Sequence, residues 1–220
     1  MLELTNDELL TTTRSVRKRL DLERPVPRAV VEECLALGLQ APNGSNQQAW
    51  RWIAVDDPGL RAAIAAEYAG AMEDYAQELA ASGGGGHDFS SPEALRIGAS
   101  VYHLRDHLHR VPVLVIPLVA GRLEGASVFL QASLWGSILP AAWSFMLALR
   151  SRGLGSAWTT VHLQREKRVA EILGIAHARW TQAGLLPVAY TRGTTFKPGR
   201  RRPVRDVLRW NGSAKGRERS

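Results

Sequence analysis

The chain has 220 residues, 45% of them hydrophobic and 22% charged, with a single cysteine and a formal net charge of +7. That is the length of one or two domains with an ordinary globular composition, which excludes a disordered, collagen-like or disulfide-framework chain. The charge is local: residues 192–219 carry +8 and the remainder −1, so the basic stretch is either a phosphate anchor within a fold or a solvated tail with weak affinity for nucleic acid.

The first element is a helix with Thr5 as N-cap and Glu8 completing a capping box, and Arg14, Ser15 and Arg17 fall in or just beyond its end. A second helix starts near Pro27 and runs to about Gln40, carrying Val30, Val31, Cys34, Leu35 and Leu37 with a broadly helical apolar period. Residues 41–48 (APNGSNQQ) are a loop of turn formers and amides, and Trp50 to Val55 alternates as a strand. A long alanine-rich helix follows from Asp57-Pro58 to about Ala81. Residues 82–91, with four consecutive glycines, read as a mobile loop. Pro92 opens another helix reaching about Arg110. Residues 111–119 are apolar and β-branched, as in a strand buried on both faces, with Pro112 and Pro117 expected at its ends. Residues 126–152 form a long helix that is apolar over most of its circumference, suited to a core or to a second subunit. Strands at 156–161 and 185–190, with a short helix from Gln164 to Leu173 between them, complete an α+β pattern in one domain of residues 1–212. Residues 213–220 read as a disordered basic tail.

Several motifs carry little. Gly153-Leu154-Gly155 follows a helix and has Trp158 where a dinucleotide fingerprint needs its third glycine. His103, His107 and His109 fall on one helix, but only the first two share a face and no third ligand is evident, so no metal is expected. Cys34 lies on an apolar stripe as inert packing. No acid–base pair stands out. With no signal peptide, no unbroken run of ~18 apolar residues and one lone cysteine, the expected location is cytoplasmic, away from membranes. Two features point to a ligand. Arg14 and Arg17 lie three apart with Ser15 beside them, a plausible anion clamp if they share a helix face. Residues 43–48 concentrate amides directly before a strand.

Together four stretches resemble the FMN-dependent nitroreductase family: Arg14-Ser15-Val16-Arg17; residues 41–52; Gly153 to Thr160; and Leu186 to Tyr190 with the later Arg200-Arg201-Arg202-Pro203. They occur in the family's order and spacing. Ala49 departs from the family's usual proline before the tryptophan, and the glycine-rich insert at 83–86 is extra. The resemblance implies an α+β homodimer: a central mixed or antiparallel sheet surrounded by helices, the long apolar helix at the interface, and an FMN at each of two interfacial sites. It implies that Arg14 and Ser15 meet the FMN phosphate and ribityl chain, that Arg17 lies near the pyrimidine edge, and that Arg200 and Arg202 hold the phosphate. Pro42, Asn43, Gly44 and Asn46 are expected to reach the cofactor from the partner subunit, with Trp158, Thr159 and Thr160 lining the central ring. The activity it implies is ping-pong reduction of nitroaromatic, quinone or related small acceptors by NADH or NADPH, through hydride transfer at flavin N5. The flavin carries that chemistry, so no catalytic side chain is expected. The alternatives are a flavin-sequestering protein without turnover and a family member with a different flavin reaction. Nucleic acid is not an expected partner.

Overall fold

The computed structural model describes residues 1–81 and 90–212. The glycine-rich stretch 83–86 and the tail 213–220 lie outside these residues. Seven helices are described: α1 (Asn6–Thr12), α2 (Arg28–Gly38), α3 (Pro58–Ala81), α4 (Pro92–His107), α5 (Val128–Ser151), α6 (Glu166–Leu173) and α7 (Val204–Val207). They surround five strands: β1 (Trp50–Val55), β2 (Val113–Ala120), β3 (Leu154–Ser156), β4 (Trp180–Gln182) and β5 (Leu186–Tyr190). The fold is α+β. The sheet runs β1-β2-β5-β3, with β4 also paired to β2, and every ladder is antiparallel.

β2 organises the core. Its alternate side chains enter opposite layers, as the two-residue period of a strand requires. Leu114, Ile116 and Leu118 pack with Ile64, Tyr68 and Met72 of α3 and Leu104 of α4. Val113 and Val115 pack with Val31 and Cys34 of α2 and with Phe145 and Leu149 of α5. Cys34 is fully buried, and burial pushes its thiol pKa up to about 11, so it stays a protonated apolar filler.

Pro117 lies inside β2 and not at its end, a correction with a local cause. Its carbonyl accepts from Ala183 N at 2.8 Å, so the side of Pro117 that lacks an N–H faces the place where β2 changes partner from β5 to β4. In an antiparallel strand a residue's N–H and C=O point to the same side, so no bond to β1 is lost.

Thr5 caps α1 as expected, with Thr5 N donating to Glu8 Oε2 at 2.8 Å and Glu8 N to Thr5 Oγ1 at 3.2 Å. The strand expected at 156–161 is displaced: β3 spans Leu154–Ser156, and only an isolated bridge between Thr159 and Leu185 continues it. β4 was not anticipated, since three residues are too few to show a period. α5 has the length and apolarity of a membrane span, but much of it is core: Ile138, Ala141, Ala142, Phe145 and Leu149 are fully buried. Its first turn is not, with Val128 83% and Phe129 82% exposed.

Candidate functional site

The segment after α1 is extended, so Arg14 and Arg17 do not meet on a helix face. Ser15 bridges to Ser156 of β3 in parallel, with Val16 N donating to Ser156 O at 2.8 Å. That close approach explains the second glycine of the Gly-Leu-Gly motif. A Cβ at Gly155 would lie 2.9 Å from Val16 Cβ and 2.7 Å from Thr191 Cγ2. The glycine is needed for strand packing and has no part in a nucleotide fingerprint.

The chain after β5 returns over this segment as a strap. Thr191 bridges Leu20, and Arg19 donates to the carbonyls of Arg192 (3.0 Å), Gly193 (2.6 Å) and Thr195 (3.0 Å). The Phe196 ring then lies 4.0 Å from the Arg19 guanidinium carbon and 4.9 Å from that of Arg150, two cation–π contacts that fix the strap. Arg150 is 5% exposed, and its Nε and Nη1 lack hydrogen-bond partners. Burial, with Arg19 nearby, lowers its pKa. The strap delivers Gly199 against Arg14: a Cβ there would lie 1.8 Å from Arg14 Nη1 and 2.7 Å from Arg201 Nη1. The guanidinium groups of Arg14 and Arg201 are therefore neighbours, although 187 positions separate them in sequence.

Around them opens a cleft of ≈ 630 Å³, within the usual ~300–1,000 Å³ of small-molecule sites. Arg14, Ser15, Arg17 and Arg201 form one side, with Trp158, Trp143 and Met146 supplying apolar surface and α4 a further wall. Arg14, Arg17, Arg96 and Arg201 all line it, and among the described residues none of them forms an ion pair. Eight other arginines do, among them Arg28 with Asp56 at 2.6 Å and Arg165 with Asp74 at 2.8 Å. Burial lowers the Arg17 pKa, and the nearby Tyr68 phenol opposes that shift. Four guanidinium groups without an ion-pair partner among the described residues, against the single carboxylate of Glu93, give the cleft a composition suited to an anion. Ser156 Oγ beneath the Ser15 segment is also buried and unpaired.

The other expected site residues divide. Trp158 lines the cleft. Thr159 is buried, its hydroxyl 2.8 Å from Tyr68 Oη, and burial raises the Tyr68 pKa. The Thr159 side chain thus braces the floor. Thr160 is exposed and its carbonyl accepts from Leu163 N at 2.9 Å. Arg200 and Arg202 are exposed and do not line the cleft. The neighbour of Arg14 is Arg201, because adjacent residues of the irregular strap face different ways.

Pro42, Asn43, Gly44 and Asn46 lie elsewhere in the chain's fold and do not line the cleft. Asn43 Oδ1 accepts from Gln48 N at 2.9 Å, and Gly44 N donates to Ser137 Oγ on α5 at 3.0 Å. Ser45, Asn46 and Gln48 have φ of 50°, 52° and 48°, a left-handed conformation uncommon outside glycine and best tolerated by asparagine among the three. Ser137 and Met146 are nine residues apart on α5, about 14 Å at the helical rise, so the amide loop and the arginine cleft occupy different stretches of that helix. Glu93, Arg96, Ile97 and Ser100 of α4 were missed, as were Trp143, Tyr68 and Phe196. The i, i+3, i+4, i+7 spacing of the α4 set was the available signal, but it also describes any helix face.

Residues 10–190 match the profile of the Nitroreductase family. Similar solved structures include oxidized iodotyrosine deiodinase bound to FMN and 3-iodo-L-tyrosine, at 19% identity and a TM-score of 0.70, covering 94% of this chain and 99% of that one. A BluB-like flavoprotein from Clostridium difficile 630 aligns at 17% identity and a TM-score of 0.72, covering 95% and 100%. A mutant of the FMN and NADPH-dependent nitroreductase NfnB, derived from Sphigopyxis sp. strain HMH, aligns at 19% and 0.69, covering 96% and 100%. At these identities the likeness is one of fold. Among curated proteins none matches in sequence.

Proposed function

Because the chain belongs to the nitroreductase family, we propose that it is an FMN-dependent oxidoreductase in which NADH or NADPH reduces a nitroaromatic, quinone or related small acceptor. The observation that carries this reading is the set of unpaired guanidinium groups around the cleft, beside Ser15 and the Trp158 surface. The residues fit the cofactor. Arg14 and Arg201, brought together by the strap, match the charge of a phosphate, and Ser15 adds a hydroxyl donor. Arg17 would offer a half-buried cation to the electron-rich reduced ring, and Trp158 would offer the ring apolar surface. When bound, FMN supplies the redox chemistry, which is why the cleft needs no acid–base dyad.

A homodimer is part of the same proposal. The exposed apolar turn of α5 at Val128 and Phe129 supports it, as does the separation of the amide loop from the arginine cleft. A second copy would bring Pro42, Asn43, Gly44 and Asn46 to a cofactor that the loop's own protomer holds too far away. A cytoplasmic location suits such a redox enzyme.

A second reading within the family has a specific support. A deiodinase structure and a BluB-like structure align as well as the nitroreductase does, so a flavin reaction other than nitro-group reduction fits the same cleft.

The test is the visible spectrum of the purified protein after FMN supplementation and desalting, repeated anaerobically with NADH and with NADPH. Flavin bands that co-elute and bleach with either nucleotide support the oxidoreductase. Retained flavin that neither nucleotide bleaches favours the second reading or sequestration. Flavin that does not co-elute at all refutes the cofactor assignment.

A further inference from the structure

α4 brings a chemically mixed face to the cleft. Glu93, Arg96, Ile97 and Ser100, at i, i+3, i+4 and i+7, all line it. The wall therefore holds one cation, one carboxylate, one apolar side chain and one hydroxyl. Arg96 is exposed and, among the described residues, forms no ion pair, not even with Glu93 one turn away.

The cofactor reading gives work to three of the four arginines: Arg14 and Arg201 to the phosphate, Arg17 to the ring. Arg96 is left over. It lies on an element that contributes no residue to the phosphate end, and it is accompanied by Ile97, which together with Trp143 offers apolar surface to a planar group. A free guanidinium beside apolar surface recognises an aromatic ring that bears an oxyanion, because the fork of N–H donors matches a carboxylate and the ring covers the apolar side chains.

Resting on the oxidoreductase reading, we propose that the acceptor is an aromatic acid whose carboxylate is held by Arg96, so that α4 sets substrate class while the Ser15 segment, the strap over it and Trp158 hold the cofactor. Glu93 disfavours a second negative group on the same ligand and sets an upper limit on its charge. The other possible source of an oxyanion is the 2′-phosphate that distinguishes NADPH from NADH, and the test separates the two.

The experiment titrates the FMN-supplemented protein and its Arg96→Gln variant with benzoate and with benzamide, isosteres differing in charge, following the change in tryptophan fluorescence, to which Trp143 and Trp158 of the cleft contribute. Benzoate should bind about tenfold more tightly than benzamide to the unaltered protein, the range of a charge-assisted pair. The ratio should fall to near one in Arg96→Gln and recover in part in Arg96→Lys. In turnover, the ratio of KM for 4-nitrobenzoate and 4-nitrobenzamide should move in parallel, and the NADPH-to-NADH ratio should stay as it was. Equal affinities in the unaltered protein, or a ratio that the substitution leaves intact, overturn the proposal. So does a substitution that changes only the NADPH-to-NADH ratio. Loss of flavin on desalting refutes the cofactor assignment instead, and the benzoate ratio still decides the role of Arg96, because the fluorescence readout does not require FMN.

Discussion

His162 follows Thr160 in the turn that leads into α6, and it is completely buried. Neither ring nitrogen has a hydrogen-bond partner, and Gln182 Oε1 is buried and unpaired as well. Burial lowers the ring's pKa to about 4; the neighbouring Gln182 side chain, outside hydrogen-bond geometry, and Glu166 oppose the shift without reversing it. The unfolded chain has an ordinary histidine, near 6.5. Between these values the unfolded state binds the extra proton, so stability is complete above about pH 6.5 and is lost as pH falls towards 4. Lowering the pH from 7 to 5 should cost about 2 kcal/mol from this one residue. The window is favourable because depressed carboxylates such as Glu124, at about 2, and Glu166 withdraw their contributions only below the ordinary carboxylate range. His103, also lowered by burial first and by His107 second, adds a smaller slope of the same sign. The assay is urea unfolding followed by tryptophan fluorescence at pH 7 and pH 5, at one protein concentration, for the unaltered chain and His162→Leu. A midpoint that does not move between the two pH values refutes the reasoning, as does a variant that keeps the full slope.

Three further outcomes are expected. Arg201→Gln should weaken FMN binding at least tenfold by equilibrium dialysis, and Arg202→Gln less than threefold; equal effects would place the phosphate contact by the sequence pattern and not by the strap. Phe196→Leu, which removes both cation–π contacts, should weaken FMN binding in the same direction as Arg201→Gln while leaving the far-ultraviolet circular dichroism unchanged, and retention of full affinity would show that the strap is held by Arg19 alone. Phe129→Arg should turn a dimer into a monomer by sedimentation velocity, since burying two such rings contributes about 3–6 kcal/mol; an unchanged sedimentation coefficient would remove α5's first turn from the interface.

The sequence made the elements legible wherever a period had room to repeat. β1 was placed to the residue, α1 was marked by Thr5 and Glu8, and α5 was recognisable from apolar residues on most of its circumference. Arg14, Ser15, Arg17 and Trp158, which line the cleft, drew attention in the sequence because they fall in short motifs. Arg201 was not, since three consecutive arginines give no clue to which one a bent strap will turn inward. Arg96 was illegible for a different reason. Its role depends on α4 crossing the cleft, a tertiary fact that no local pattern encodes. His162 looked like any histidine until the packing of β4 and α6 closed around it. Pro117 misled because strand statistics describe ladders with both edges filled, and β2 changes partner where the proline stands.

The central position of β2 also has a consequence for synthesis. Its first partner, β1, precedes it in the chain, while β5 and β4 lie about seventy residues downstream and beyond all of α5. A nascent chain therefore exposes, for several seconds at ordinary elongation rates of ~5–20 residues per second, a run of Val113, Leu114, Val115 and Ile116 with one edge unsatisfied. The apolar α5 emerges into the same interval. Long-range pairing of this kind slows folding, and a chain stopped before Trp180 should aggregate more readily than one that includes β4 and β5, as pelleting after expression would show. In this fold the residues that close the sheet are made only after all of α5, so the interval before Leu186 to Tyr190 arrive is when the chain most needs protection from its own kind.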